Sequence, residues 1–148
     1  MKKQPILVSA CLLGVCCRYD GESKPCEAVL QLRERYTLIP VCPEVMGGLP
    51  TPRIPSECQA DGTVRNRGGE DVTAAYRKGA EAVLSVAKEN GCSVAILKER
   101  SPACGKGRIY DGTFSKTLTD GNGVCAELLL RNGIRVIGES ELHTEFGV

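Results

Sequence analysis

Tryptophan is absent from this 148-residue chain, and only two phenylalanines, four tyrosines and one histidine are present. So sparse an aromatic set offers no platform for stacking successive nucleic-acid bases. Charge of one sign is lacking as well: 19 Lys and Arg face 18 Asp and Glu, interspersed, for a net charge of +1. No basic stripe runs along the chain of the kind that neutralises phosphates, so intact nucleic acid is not an expected partner. No apolar run approaches the roughly 18 residues needed to span a bilayer. Met1-Lys2-Lys3-Gln4-Pro5 passes straight into an apolar segment, without a long hydrophobic region or small-residue cleavage site. No signal peptide is therefore expected, and the expected location is cytoplasmic. The lone His143 lies in the C-terminal tail, which leaves a His-based catalytic triad little support. No CxxC pair occurs, so zinc-ribbon and thioredoxin signals are missing, as is the close ligand spacing of ferredoxins.

Cysteine is the outlier, with nine copies. A secreted disulfide scaffold would be shorter and loop-rich. Here an odd number of cysteines sits in a chain patterned as an α/β protein, where surplus thiols point to metal binding or redox chemistry. A chain of this length is most simply one domain, residues 1–148, with roughly 70% of its unfolded surface buried on folding.

Periodicity supplies the organisation. Strands are predicted at 6–10, 38–41, 94–97 and 134–137. Ser23 is a candidate N-cap, with Pro25 in the first turn of a helix that runs to about Tyr36. A long Pro- and Gly-rich stretch follows from Pro43 to Gly69, with a short hairpin near Cys58 to Arg65. The clearest helix starts at a cap from Asp71, carries Val72, Ala75, Tyr76, Gly79, Val83 and Val86 at helical spacing, and stops at Asn90-Gly91. A second polar loop covers 98–123, a helix covers about Val124 to Arg131, and the tail from Glu139 is ambiguous. Alternating strands and helices imply a small three-layer α/β fold of Rossmann or flavodoxin type, with a mainly parallel sheet.

Three cysteines follow strands at their carboxyl ends. Cys11 closes the first strand, Cys42 closes the second, and Cys104 lies a few residues past the third. If these strands are parallel neighbours, three thiols meet at one crevice, where open α/β sheets place their sites. Three convergent thiolates suit an iron–sulfur cluster or a metal with one open position. Any one of them alone would read as a buried packing thiol. Cys26, Cys92 and Cys125 read as packing residues. Cys58 in the long loop could be reactive, although a bland role is favoured. Cys16-Cys17 is undecided: it could add a fourth ligand or form a redox pair, and adjacent cysteines form strained bridges. Cys104-Gly105-Lys106-Gly107 does not match the spacing of a phosphate loop.

Several linked motifs then occur in order: Ser9-Ala10-Cys11-Leu12-Leu13-Gly14 with Arg18-Tyr19-Asp20-Gly21; Cys42-Pro43-Glu44-Val45-Met46-Gly47-Gly48-Leu49; Pro52-Arg53; and Lys98-Glu99-Arg100-Ser101-Pro102-Ala103-Cys104-Gly105. Together they resemble the TudS-like thiouracil desulfidases, a bacterial family, over essentially the whole chain. The resemblance implies a 4Fe–4S cluster held by only three cysteines, matching Cys11, Cys42 and Cys104. It also implies a Glu and a Ser working beside the cluster, which fall on Glu44 and Ser101. Related members carry an extra C-terminal domain, and this chain is expected to stop after the desulfidase-like unit.

The implied reaction is a non-redox desulfuration. An iron with an open position is a soft Lewis acid that takes a thiocarbonyl sulfur, so that water attacks the attached carbon and sulfide leaves. The substrate expected is a small thiolated pyrimidine such as 2-thiouracil. Glu44 could hold or deprotonate the water or protonate a ring nitrogen, and Ser101 could orient substrate or water. Lys98, Glu99, Arg53 and Tyr110 are further candidates for substrate contacts. The alternative is a non-catalytic metal-binding or sensing module, with a structural cluster or zinc closed by Cys16 or Cys17.

Overall fold

Strand β1 (Gln4–Ser9) is apolar on both faces. Leu7 packs into one hydrophobic cluster, while Ile6 and Val8 pack into another on the opposite side. All three are at most 1% exposed, and each such side chain contributes about 1.5–3 kcal/mol by leaving water. A strand buried on both faces belongs in the middle of a parallel sheet. The computed structural model, which describes residues 3–148, places it there. The sheet order is β2 (Tyr36–Val41), β1, β5 (Val94–Leu97) and β8 (Arg135–Gly138). Every neighbouring pair is parallel.

Helices cover both faces, as expected for a three-layer α/β fold. Helix α3 (Thr73–Asn90) and helix α4 (Val124–Arg131) present Tyr76, Ala80, Val83, Cys125 and Leu129 to the cluster that contains Leu7, Ala95, Leu97 and Val136. The opposite cluster joins Val29 of α1 (Glu27–Gln31) and Leu142 of α5 (Leu142–Phe146) to Ile6, Val8 and Ile96. The connection from β1 passes to β2 on one side, and the chain then returns across β1 to β5. The switch point therefore falls between the carboxyl ends of β1 and β5, where such folds open a crevice. Pro40, which lacks an N–H, sits in β2 at the sheet edge, where no ladder bond is lost.

Several boundaries depart from expectation. The first helix begins at Glu27 rather than near Ser23, with Cys26 at its N-cap position, and continues only as a 3₁₀ turn over Leu32–Glu34. Two causes account for this. Pro25 disfavours helical backbone at Lys24. The segment is also tied back to the first strand's end, Lys24 N–H donating to Cys11 O and Cys26 N–H to Leu12 O, both at 2.9 Å. Asp71 caps α3 from one position further out than expected: its carboxylate accepts the N–H of Thr73 at 2.9 Å, and Val72 holds the cap position. Gly91, at φ 67°, ends that helix as its αL stop.

The two long loops contain short elements. The first holds α2 (Pro43–Met46) and the hairpin β3 (Ser56–Cys58) with β4 (Val64–Asn66). The second holds the hairpin β6 (Arg108–Tyr110) with β7 (Leu118–Asp120). The tail folds into α5, where Phe146 meets Tyr36 edge to face at 5.5 Å between ring centroids.

Candidate functional site

A cavity of about 460 Å³ lies over the carboxyl ends of β1, β2 and β5, and Cys11, Cys42, Cys104, Glu44 and Ser101 all line it. Each strand end delivers its cysteine differently. After β1 the chain makes a 3₁₀ turn, Ala10–Leu13, closed by Gly14 at φ 97°, which brings Cys11 to the wall. After β2, Cys42 occupies the N-cap position of α2, with Pro43 as first helical residue, the place where a missing N–H costs nothing.

Cys104 is held by a turn. Ser101 Oγ accepts the N–H groups of Ala103 and Cys104, both at 3.1 Å. The start of α4 then clamps the same turn: Val124 N–H donates to Pro102 O at 2.8 Å and Cys125 N–H to Ala103 O at 2.9 Å. Gly123 is required here, because a Cβ would lie 2.5 Å from the Ala103 carbonyl carbon.

The thiols influence one another. A hydrogen bond from the Cys17 thiol lowers Cys11 below the ordinary thiol range, against burial and the charges of Cys104 and Cys42. Cys42 is raised, first because its own thiol donates to Cys17 and then by burial. Cys104 is raised as well, chiefly by its burial and then by the neighbouring Cys125. All nine cysteines are free thiols. Soft thiol donors on three separate segments, all facing one cavity, match the chemistry of an iron–sulfur cluster. Among the described residues no three His, Cys, Asp or Glu side chains stand close enough to clasp a single ion. A cluster would take each thiolate on a different iron, so its cysteines would not have to converge on one ion. The cations Arg18, Lys24, Arg67, Arg100 and Lys116 line the same wall, and they would offset the negative charge of a thiolate-bound cluster.

Glu44, on α2, has its Oε2 atom held twice. The Tyr76 hydroxyl donates to it at 2.6 Å and Arg53 Nε at 3.3 Å. Arg53 is otherwise occupied with the carbonyls of Pro50 and Cys17 and with Thr51 Oγ1, and its side chain is only 6% exposed. It lines the cavity as a brace. Lys98 and Glu99 also line the wall but are tied to the segment after β8: Lys98 Nζ lies 3.0 Å from Glu139 Oε2, and Glu99 Oε2 accepts the Ser140 hydroxyl at 2.6 Å. Tyr110 lines the cavity as well. His143 is exposed on α5 and lies outside it.

Two residues at the site, Ser9 and Tyr76, were given no role there by sequence reasoning, and the pair Cys16-Cys17, left undecided, is now divided. Cys17 is buried between Cys11 and Cys42, whereas its neighbour Cys16 is exposed. Ser9 is 3% exposed; its hydroxyl accepts Lys98 N–H at 2.9 Å and donates to Cys104. Tyr76 is 1% exposed, and a buried phenol on a helix's core face usually finds a hydrogen-bond partner, which is the signal that could have found it. Cys58 is half-buried outside the cavity, bonded to Pro102 O at 3.5 Å and pushed up to about 11 by burial, which disfavours its thiolate. Among the described residues, the non-glycine residues with left-handed backbone are Arg100, Phe114 and Lys116, and all three line this cavity. Strain of this kind concentrates at functional sites.

A three-layer α/β fold that gathers thiols, a carboxylate and a hydroxyl in one cavity at its topological switch point defines a class: an α/β protein with a thiol-lined site at the carboxyl ends of its strands. The 2-thiouracil desulfurase family matches residues 6–141, and the chain belongs to that family. It is 45% identical to the uncharacterized protein YbbK of Bacillus subtilis (strain 168), over 93% of this chain and 97% of that protein. It is also similar to the solved structure of the [4Fe-4S]-dependent thiouracil desulfidase TudS, with 45% identity and a TM-score of 0.88. That match covers 96% of this chain and 95% of the other.

Proposed function

We propose that this chain is a [4Fe–4S]-dependent thiouracil desulfidase. It acts as one domain in the cytoplasm on a small thiolated pyrimidine. The observation that carries the reading is the meeting of Cys11, Cys42 and Cys104 on one cavity wall with Glu44 and Ser101 beside them, in a chain of this family. Those three cysteines would hold the cluster. When bound, a three-cysteine cluster supplies an iron without a protein ligand, a soft Lewis acid suited to a thiocarbonyl sulfur.

The chain's own residues do the rest. Glu44 accepts a proton from the water that adds to the thiocarbonyl carbon. Ser101, whose oxygen already accepts two backbone N–H groups, directs its own O–H into the cavity and orients the ring or the water. One water is consumed, C=S becomes C=O, hydrogen sulfide leaves, and no electrons are exchanged. No described helix is long and apolar enough to cross a membrane.

The test is turnover by protein loaded without oxygen. Supplied with 2-thiouracil, it is expected to release uracil and sulfide in equal amounts, and absence of turnover on any thiolated pyrimidine refutes the reading. One observation favours a second reading: the Cys17 thiol lies beside both Cys11 and Cys42 and could close the site as a fourth ligand in a structural or sensing module. Zinc without acid-labile sulfide in the purified protein would support that reading.

A further inference from the structure

We propose that Tyr76 is the positioning residue that keeps one oxygen of Glu44 free for the reaction. The inference rests on the role given to Glu44 above. Both protein donors converge on the same atom: Tyr76 Oη and Arg53 Nε meet Glu44 Oε2. No described residue donates to Oε1, and Glu44 lines the cavity with its side chain 17% exposed. The carboxylate is thus divided, one oxygen anchored and the other presented.

Arg53 alone would not produce this division. A guanidinium prefers to take both oxygens of a carboxylate in a forked pair. That would turn Oε1 away from the cavity and against the brace. The Tyr76 hydroxyl, 2.6 Å from Oε2, holds that oxygen from the side of α3 and blocks the rotation. A bond this short to a carboxylate is of the strong, charge-assisted kind. Burial, followed by the Glu44 charge, keeps the phenol protonated and therefore a donor. One turn along the same helix, Gly79 lets α2 approach: a Cβ there would lie 1.8 Å from Pro43 O. Tyr76 and Gly79 together form the seat for the segment that carries Glu44.

The test compares wild type, Tyr76→Phe, Glu44→Gln and the double variant, each loaded anaerobically and assayed with 2-thiouracil. Phenylalanine keeps the ring packing, and a thermal melt, iron content and cluster absorption verify folding and loading. The expected result for Y76F is a fall in kcat of about 10- to 100-fold with KM changed by less than about threefold, in line with the cost of displacing a reacting group by an ångström. Because Tyr76 acts through Glu44, the double variant is expected to be no slower than E44Q. A crystal structure of Y76F is expected to show the carboxylate turned onto Arg53. Y76F at the wild-type rate, losses that multiply in the double variant, or an unmoved Glu44 would each overturn the inference. The E44Q arm reads the role of Glu44 separately: full activity there removes that role, and the inference with it, while leaving the desulfidase reading to be judged by wild-type turnover.

Discussion

Gly79 is where local propensity and tertiary packing oppose each other, so substituting it decides between them. Gly79→Ala in the interior of an open helix stabilises by about 1 kcal/mol. In α3 the added Cβ would meet Pro43 O at 1.8 Å and Pro43 C at 2.7 Å, both backbone atoms of the neighbouring helix α2. Gly47 faces the same contact from the other side, with Ala75 O at 2.1 Å from its virtual Cβ. Real Cβ contacts essentially never fall below 3.0 Å, so α2 must retreat by at least about 1.2 Å. Overpacking of this kind costs about 1–3 kcal/mol, and a rigid backbone obstacle places the cost toward the upper end. The net expectation is a loss of about 1–2 kcal/mol, which lowers the apparent melting midpoint by about 2–8 °C at this chain length. The displaced residue adjoins Glu44, and an ångström of misplacement at a reacting group costs on the order of 100-fold in rate. Thermal unfolding and 2-thiouracil turnover of the loaded variant measure both effects. A melting midpoint that rises, or turnover that stays at the wild-type level, would refute the argument that α3 seats the reacting carboxylate.

Other substitutions separate the roles of the thiols and hydroxyls. Alanine at Cys11, Cys42 or Cys104 is expected to abolish the iron and acid-labile sulfide content, whereas Cys92→Ala retains both; metal and sulfide analysis checks this. Cys17→Ser is expected to keep the full iron complement, since the reading assigns only three ligands, and loss of iron would support a fourth. Glu44→Gln is expected to lower kcat by about 10²- to 10⁴-fold, the usual contribution of a positioned acid or base, with little change in KM by steady-state kinetics. Ser9→Ala leaves the N–H of Lys98 without its acceptor; the expected loss is about 1–3 kcal/mol, read as a lower urea midpoint at constant slope.

The parts of this structure that were legible in the sequence are those with strong periodicity. Strands β1 and β5 read as apolar runs because both of their faces are buried, and α3 read as a helix because its apolar residues recur over five turns and a glycine ends it. The three cysteines could be placed together because strand ends in parallel α/β sheets have a common address. The short elements α2, α5, β6 and β7 span only three to five residues each, too few for a period to register. The start of α1 was misread because the backbone groups near Ser23 bond to the Cys11 turn, a contact set by tertiary structure. Tertiary structure likewise decides which of Cys16 and Cys17 faces the site, which the sequence left open, and gives Tyr76 a partner 32 residues away. Arg53 read as a substrate contact because nothing local shows that four protein acceptors already occupy it.

The most direct measurement is iron anomalous diffraction from crystals of protein loaded without oxygen. The account expects a four-iron cluster bound by the sulfurs of Cys11, Cys42 and Cys104, with one iron free of protein sulfur. Iron ligated in addition by Cys17, or a single metal ion in place of a cluster, would contradict it.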